Sequence, residues 1–259
     1  MAMYDNENTV KQSFGDITLP EYQIQARWAE FIELKKVIVE IAKRKNGSIR
    51  ILDIGIGNAR IAAHLCGIEE VWSLIETYDG TDNAMACVDL SKQVVNEMNM
   101  ADKVNVFFKD AAELNDWNKT YDLIITTWFT GGNFYPDGFS FDQYNKDSPR
   151  LDLTHNPKFE KIFQQAYALL NPGGEIVLGC CYVDKDATRI KQETFYQEMN
   201  MHVITDERDS FTATKEGFWS QRFTKEKLIN YLHFVDSGNI QVTALDTYDF
   251  AMQVRIRKD

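Results

Sequence analysis

The chain is 259 residues long, 44% apolar and 26% charged, a balance that suits one large α/β domain and excludes a disordered acidic tail or a small fold dependent on disulfides. Its 28 basic and 39 acidic residues give a net charge of −11, so a nucleic-acid backbone meets net repulsion, and no run of about 18 apolar residues marks a membrane span. The opening MAMYDNENTV lacks the basic, apolar and small-residue succession of a leader, so a cytosolic location is expected, with Cys66, Cys87, Cys180 and Cys181 as reduced, buried thiols.

Residues 21–43 place Ile24, Trp28, Phe31, Ile32, Leu34, Val37, Ile38 and Ile41 at roughly helical intervals up to Asn46-Gly47, which predicts an N-terminal helix. Apolar runs then alternate with helical segments: a strand at 49–54, a helix from 58, a strand at 84–89, a helix capped by Ser91, and strands at 104–109 and 121–127. A loop rich in Gly, Asn, Asp and aromatic residues fills 128–150, a helix follows at 157–170, and Asn171-Pro172-Gly173-Gly174 turns into a strand at 175–182. The last third predicts helices at 186–201 and 224–234, extended chain at 211–223, and a hairpin of 240–245 with 250–256.

This rhythm predicts an α/β fold: a Rossmann-like doubly wound sheet, mostly parallel with a C-terminal antiparallel hairpin, helices on both faces and an N-terminal helical extension. No repeat or linker divides it, so residues 1–259 read as one domain. Within it, 1–46 form an N-terminal helical lid segment, 47–183 the cofactor-binding core, and 184–259 an insertion and closing hairpin.

The most informative run is ILDIGIGNAR at 51–60. A strand ends at Asp53, and Gly55 and Gly57 allow a sharp turn against which a ligand can rest on the main chain, beside Asn58. Asp89 with Leu90 and Asp110 with Ala111 are read as the ends of the next two strands, where carboxylates can meet ribose hydroxyls and an adenine amino group, and Thr127 ends the fourth. A pyrophosphate would be repelled by Asp53, and Arg60 stands where the dinucleotide fingerprint has its third glycine. S-adenosylmethionine, which has no phosphate, fits this charge pattern.

In order, ILDIGIGNAR, CVDLS, KDAAEL, YDLIITTW and LLNPGGEIVL resemble the motifs of class I S-adenosylmethionine-dependent methyltransferases over about residues 49–183. The resemblance implies S-adenosylmethionine as cofactor, S-adenosylhomocysteine as product, and a small-molecule acceptor facing TTWFTGGNFYP at 126–136. Neither the tetrapeptide that clamps a flipped base nor the paired-glutamate loop of arginine methyltransferases occurs here.

A narrower set, YD at 4–5, ITLPEY at 17–22, GGNFYP at 131–136 and LGCCYVDKDA at 178–187, resembles the histidine Nα-methyltransferases of ergothioneine biosynthesis. This implies that Tyr4, Tyr22 and Asn133 hold the amino-acid end of a substrate, with Tyr196 and Ser220 as further candidates; Phe218 stands where that family has a glutamate, unless Glu216 replaces it. Trp128, Phe129, Phe134 and Tyr135 are expected to close over the acceptor, while Asn133 and Tyr22 position it. His64, His155, His202 and His233 suggest no general base, and Asp137, Asp142, Asp147 and Asp152 lack metal-ligand spacing, so no metal is expected.

The expected activity is methyl transfer to the amine of an amino acid or related compound. The alternatives are a small-molecule O-methyltransferase and a non-catalytic S-adenosylmethionine-binding protein. No nucleic-acid or membrane partner is expected, and the oligomeric state is open.

Overall fold

A computed structural model describes residues 19–245 and 247–259. Helix α1 (Glu21–Lys45) ends at Asn46, whose φ of 53° lets the chain fold its next N–H groups back onto the last turn, while Lys43, Arg44 and Lys45 sit at the negative end of the helix dipole. It buries Phe31, Leu34, Val37, Ile38 and Ile41 against the sheet. Ile24, Trp28 and Ile32, counted into the same stripe from the sequence, lie on its far side and remain about half exposed.

Strand β1 (Ile49–Ile54), α2 (Arg60–Cys66) and the short α3 (Glu69–Trp72) lead to β2 (Ile75–Asp82). Then come α4 (Met85–Glu97), β3 (Val104–Phe108), a 3-10 turn (Ala111–Asp116), β4 (Tyr121–Thr126) and a second 3-10 turn (Thr130–Asn133). Helix α5 (Pro157–Leu169), β5 (Leu170–Val183), α6 (Asp186–Glu198), β6 (Phe211–Ala213), β7 (Trp219–Phe223), α7 (Lys225–Tyr231), β8 (Ile240–Ala244) and β9 (Ala251–Arg257) complete the chain.

One prediction fails here. Residues 85–89 form the first part of α4, with Ala84 as its N-cap, not a strand, because Cys87, Val88, Ser91 and Val95 bury one helical face. Ser91 is therefore inside the helix, and its hydroxyl donates to the Gly57 carbonyl at 2.6 Å instead of capping. The true second strand, IETYDGTD, carries too few β-branched and apolar residues to announce itself.

The strands run in the order β3-β2-β1-β4-β5, all parallel, and β9 continues antiparallel from β5 with β8 at the far edge. The β6–β7 hairpin joins the carboxyl tip of β5 through Tyr182 and Val183. The buried Arg222 anchors this hairpin by donating to Gln192 at 2.8 Å, to Thr212 at 2.7 Å and to the Asp209 and Phe211 carbonyls. Alternate strand residues feed two cores, as pleating requires: Leu52, Ile54, Ile124 and Ile176 pack on α5 and α7, while Ile49, Ile51, Leu123 and Val177 pack on α1, α2 and α4.

Asp53 points into the second of these layers and is 1% exposed. Its Oδ2 accepts the Tyr78 hydroxyl at 2.6 Å, and its Oδ1 has no partner among the described residues. Burial pushes this carboxyl up to about 7, opposed by the Tyr78 hydroxyl and the nearby Arg60 guanidinium. An unfolded Asp ionises near pH ~3.9, so the folded state holds the extra proton between about pH 4 and 7, and this group lowers stability as pH rises through that window, by up to roughly 1.4 kcal/mol per pH unit. Asp53→Asn should flatten that decline when urea midpoints are compared at acidic and neutral pH; an unchanged slope would show that Asp53 is ionised in the fold.

Candidate functional site

A cavity of about 200 Å³ opens where β1, β2 and β4 end, bounded by the loops that follow them and by the β6–β7 hairpin. Of the residues expected from the sequence, Gly55, Gly57, Asn58, Asp110, Ala111, Thr127, Trp128, Asn133 and Tyr135 line it. Gly55 and Gly57 have φ of 78° and 60°, and a side chain at Gly55 would also meet Thr130.

The acidic residue beside the glycine turn is Asp82, not Asp89. With β2 ending at 82, Asp82 reaches the turn: its Oδ2 accepts the Gly57 N–H at 3.1 Å and its Oδ1 the Ala84 N–H at 3.0 Å. Burial raises the Asp82 carboxyl, and the backbone donors Ala84 and Gly57 counter that. Gly55 and Ile56 give their N–H groups to the Thr81 carbonyl at 2.8 and 3.0 Å, and Ala59 gives its own to Ile56 at 3.0 Å. Asp89 is exposed on α4, and neither it nor Leu90 lines the cavity. Asp53 also lies behind the wall, and Asp82 is the carboxylate that meets the glycine turn. Asp110 lines the cavity and caps the first 3-10 turn, accepting the Ala112 N–H at 2.8 Å.

Two guanidiniums that the sequence did not single out as ligands also line the cavity, beside Trp128. Arg27 of α1 lies 4.5 Å from the Trp128 ring centroid and Arg60 lies 5.7 Å from it, and both line the cavity. The fully buried Glu30 accepts from Arg60 at 3.0 Å and from the Trp128 N–H at 2.8 Å. The second bond holds Trp128 at a φ of 50° and starts a left-handed pair with Phe129 at 65°, a conformation costly for bulky side chains. Gly179 is the residue that makes room for Glu30, since a Cβ there would overlap the carboxylate. Burial, then Arg60, lowers Arg27 to about 10, and its Nε is buried without a partner among the described residues.

Several expected acceptor residues sit elsewhere. Phe129 stacks on Tyr182 at 3.6 Å between centroids, Tyr22 packs edge-on against Phe250 and donates to the Lys191 carbonyl at 3.3 Å, and Tyr196 and Ser220 are buried outside the cavity lining. Phe129 and Tyr22 pack with Tyr182 and Phe250 behind Trp128, and Tyr196 packs on Phe218, 4.4 Å between centroids. Tyr4 lies outside the described residues. Glu216 accepts the His202 backbone N–H at 2.9 Å at the surface and does not line the cavity. Asn133 does line it, with a buried Oδ1 that has no hydrogen-bond partner among the described residues. Phe134, Lys158, Phe218 and Trp219 complete that end. Among the described residues, no group of three or more His, Cys, Asp or Glu is placed to hold a metal, and no helix is long and apolar enough to cross a membrane.

No protein-family model matches the sequence, and no curated protein matches it either. Solved structures do match in shape. The CcbJ methyltransferase of Streptomyces caelestis superposes with a TM-score of 0.60 at 13% identity, covering 99% of this chain and 98% of that one. A S-adenosylmethionine-dependent methyltransferase from Clostridium acetobutylicum gives 0.54 at 13%, covering 96% and 95%. An O-methyltransferase family protein from Burkholderia thailandensis gives 0.57 at 10%, covering 99% of this chain, which spans 62% of that protein's length. At these identities the likeness is one of architecture: the chain shares the fold of these methyltransferase structures.

Proposed function

We propose that the chain is a S-adenosylmethionine-dependent methyltransferase that transfers methyl to the amine of a small molecule, an amino acid or a related compound. The observation that carries this reading is the self-satisfied glycine turn. Phosphates bind such turns through free main-chain N–H groups. Here Gly55 and Ile56 are committed to Thr81 and Gly57 to Asp82, so a pyrophosphate would lose its cradle and meet a carboxylate. A phosphate-free adenosyl group leaves those bonds intact, with Asp82 available to ribose hydroxyls and Asp110 to the adenine amino group. At the other end Arg27 and Arg60 favour a carboxylate, which the amino-acid portion of S-adenosylmethionine supplies.

When bound, S-adenosylmethionine supplies a methyl group on cationic sulfur: the acceptor nitrogen forms the new N–C bond as the S–C bond breaks, sulfur keeps the electron pair as S-adenosylhomocysteine, and the ammonium product sheds its proton to water. The chain's contribution is orientation and exclusion of water. The unpaired Asn133 Oδ1 can accept an N–H of a neutral amine and so aim its lone pair, while the neighbouring cations disfavour the protonated form. No residue need act as a strong base.

Calorimetry with S-adenosylmethionine and NAD tests the carrier observation. S-adenosylmethionine should bind and NAD should not; preferential NAD binding would overturn the reading. Asp82→Ala should weaken S-adenosylmethionine by roughly 10- to 100-fold, the worth of lost charge-assisted hydrogen bonds, with circular dichroism checking the fold. Asn133→Ala should leave donor affinity intact and lower kcat/KM for the acceptor by roughly tenfold or more. Equal loss of donor affinity would remove Asn133 from its positioning role.

A further inference from the structure

The far end of the cavity has a chemical character of its own. Phe134, Tyr135, Phe218 and Trp219 give it aromatic walls, and Asn133 and Lys158 line it as well. These groups adjoin one another: the Trp219 and Tyr135 rings are 6.3 Å apart, and Lys158 Nζ lies 5.0 Å from the Tyr135 centroid. Gly132 packs so closely on β7 that a Cβ would come within 2.9 Å of the Gln221 carbonyl oxygen, which joins the turn carrying Asn133 to the strand carrying Trp219.

Two polar atoms here are buried without partners among the described residues, and they have opposite character. Asn133 Oδ1 accepts and Trp219 Nε1 donates, the latter on a side chain only 2% exposed. Leaving either dry in a filled cavity costs more than a hydrogen bond returns. Lys158 adds a positive charge in the first turn of α5, where the helix dipole is also positive, and its carboxylate neighbour, the exposed Asp137, is 3.8 Å away.

Resting on the methyl-transfer reading, we infer that this chamber selects a planar, apolar amine that also carries a carboxylate, with Lys158 as a specificity-determining residue. The carboxylate takes the Lys158 ammonium and the Trp219 N–H, the amine N–H donates to Asn133 Oδ1, and the aromatic walls hold the flat body. A plain amine would leave the indole N–H unanswered and the Lys158 ammonium with only the exposed Asp137 carboxylate at 3.8 Å.

The test is calorimetry with aromatic amino acids, their decarboxylated amines and their methyl esters, with and without S-adenosylmethionine. At least one acid should bind roughly tenfold or more tighter than its amine and ester, and Lys158→Met should erase that preference by weakening the acid alone. Trp219→Phe, which keeps the stacked ring and removes only the N–H, should weaken the acid several-fold by the same logic. The inference is overturned if amines or esters bind as well as the acids, if none of the three classes binds, or if Lys158→Met affects acid and amine equally. Acid binding that persists while S-adenosylmethionine fails to bind would reject the donor assignment and leave the anionic subsite standing.

Discussion

The hydrogen bond between the Asp82 carboxylate and the Gly57 N–H closes the glycine turn from within. In most nucleotide sites of this architecture the equivalent amides are kept free for phosphate. Here β2 delivers a carboxylate to them, the Thr81 carbonyl takes the two preceding N–H groups, and the Ser91 hydroxyl holds the turn from α4. The turn becomes a rigid, electron-rich rim. Its remaining ligand capacity is for hydroxyls and amino groups, and that single constraint sets the polarity of the whole cavity.

The Trp128 part of the cavity lining depends on Glu30. A carboxylate with no exposure is tolerated only because Arg60 and the Trp128 N–H both satisfy it. The same bonds fix the Arg60 guanidinium and a left-handed Trp-Phe pair at the end of β4, and Gly179 on β5 provides the space. The cavity lining thus carries both acid, Asp82 and Asp110, and base, Arg27 and Arg60, with Asn133 on the β4 loop.

Much of this was legible in the sequence. β1 with its glycines, β4, β5 and the β8–β9 hairpin are strongly apolar or alternating, and their turn chemistry is explicit, so Gly55, Gly57, Asp110, Thr127 and Asn133, grouped from the sequence, do line one cavity. β2 was not legible, because Glu76, Asp79 and Asp82 sit in a strand whose buried acids are paid for by tertiary partners: Asp79 takes Tyr121, Lys119 and Asn105, contacts invisible to local pattern. Cys87 and Val88 then offered a false apolar strand, and Asp89 was read at the strand end that Asp82 occupies. Arg27 was hidden for a different reason, since a charged residue on an amphipathic helix reads as a solvated face until the sheet places it. Tyr22, Phe129 and Tyr196 lie outside the cavity lining, a placement the sequence does not reveal because an aromatic side chain looks the same in a cavity wall and in the packing behind it.

The most direct measurement is a crystal structure of the chain soaked with S-adenosylmethionine. The account predicts ribose hydroxyls on Asp82, a carboxylate between Arg27 and Arg60, and the Gly57 N–H still given to Asp82. A ligand phosphate seated on the Gly57 amide, with Asp82 turned away, would contradict it.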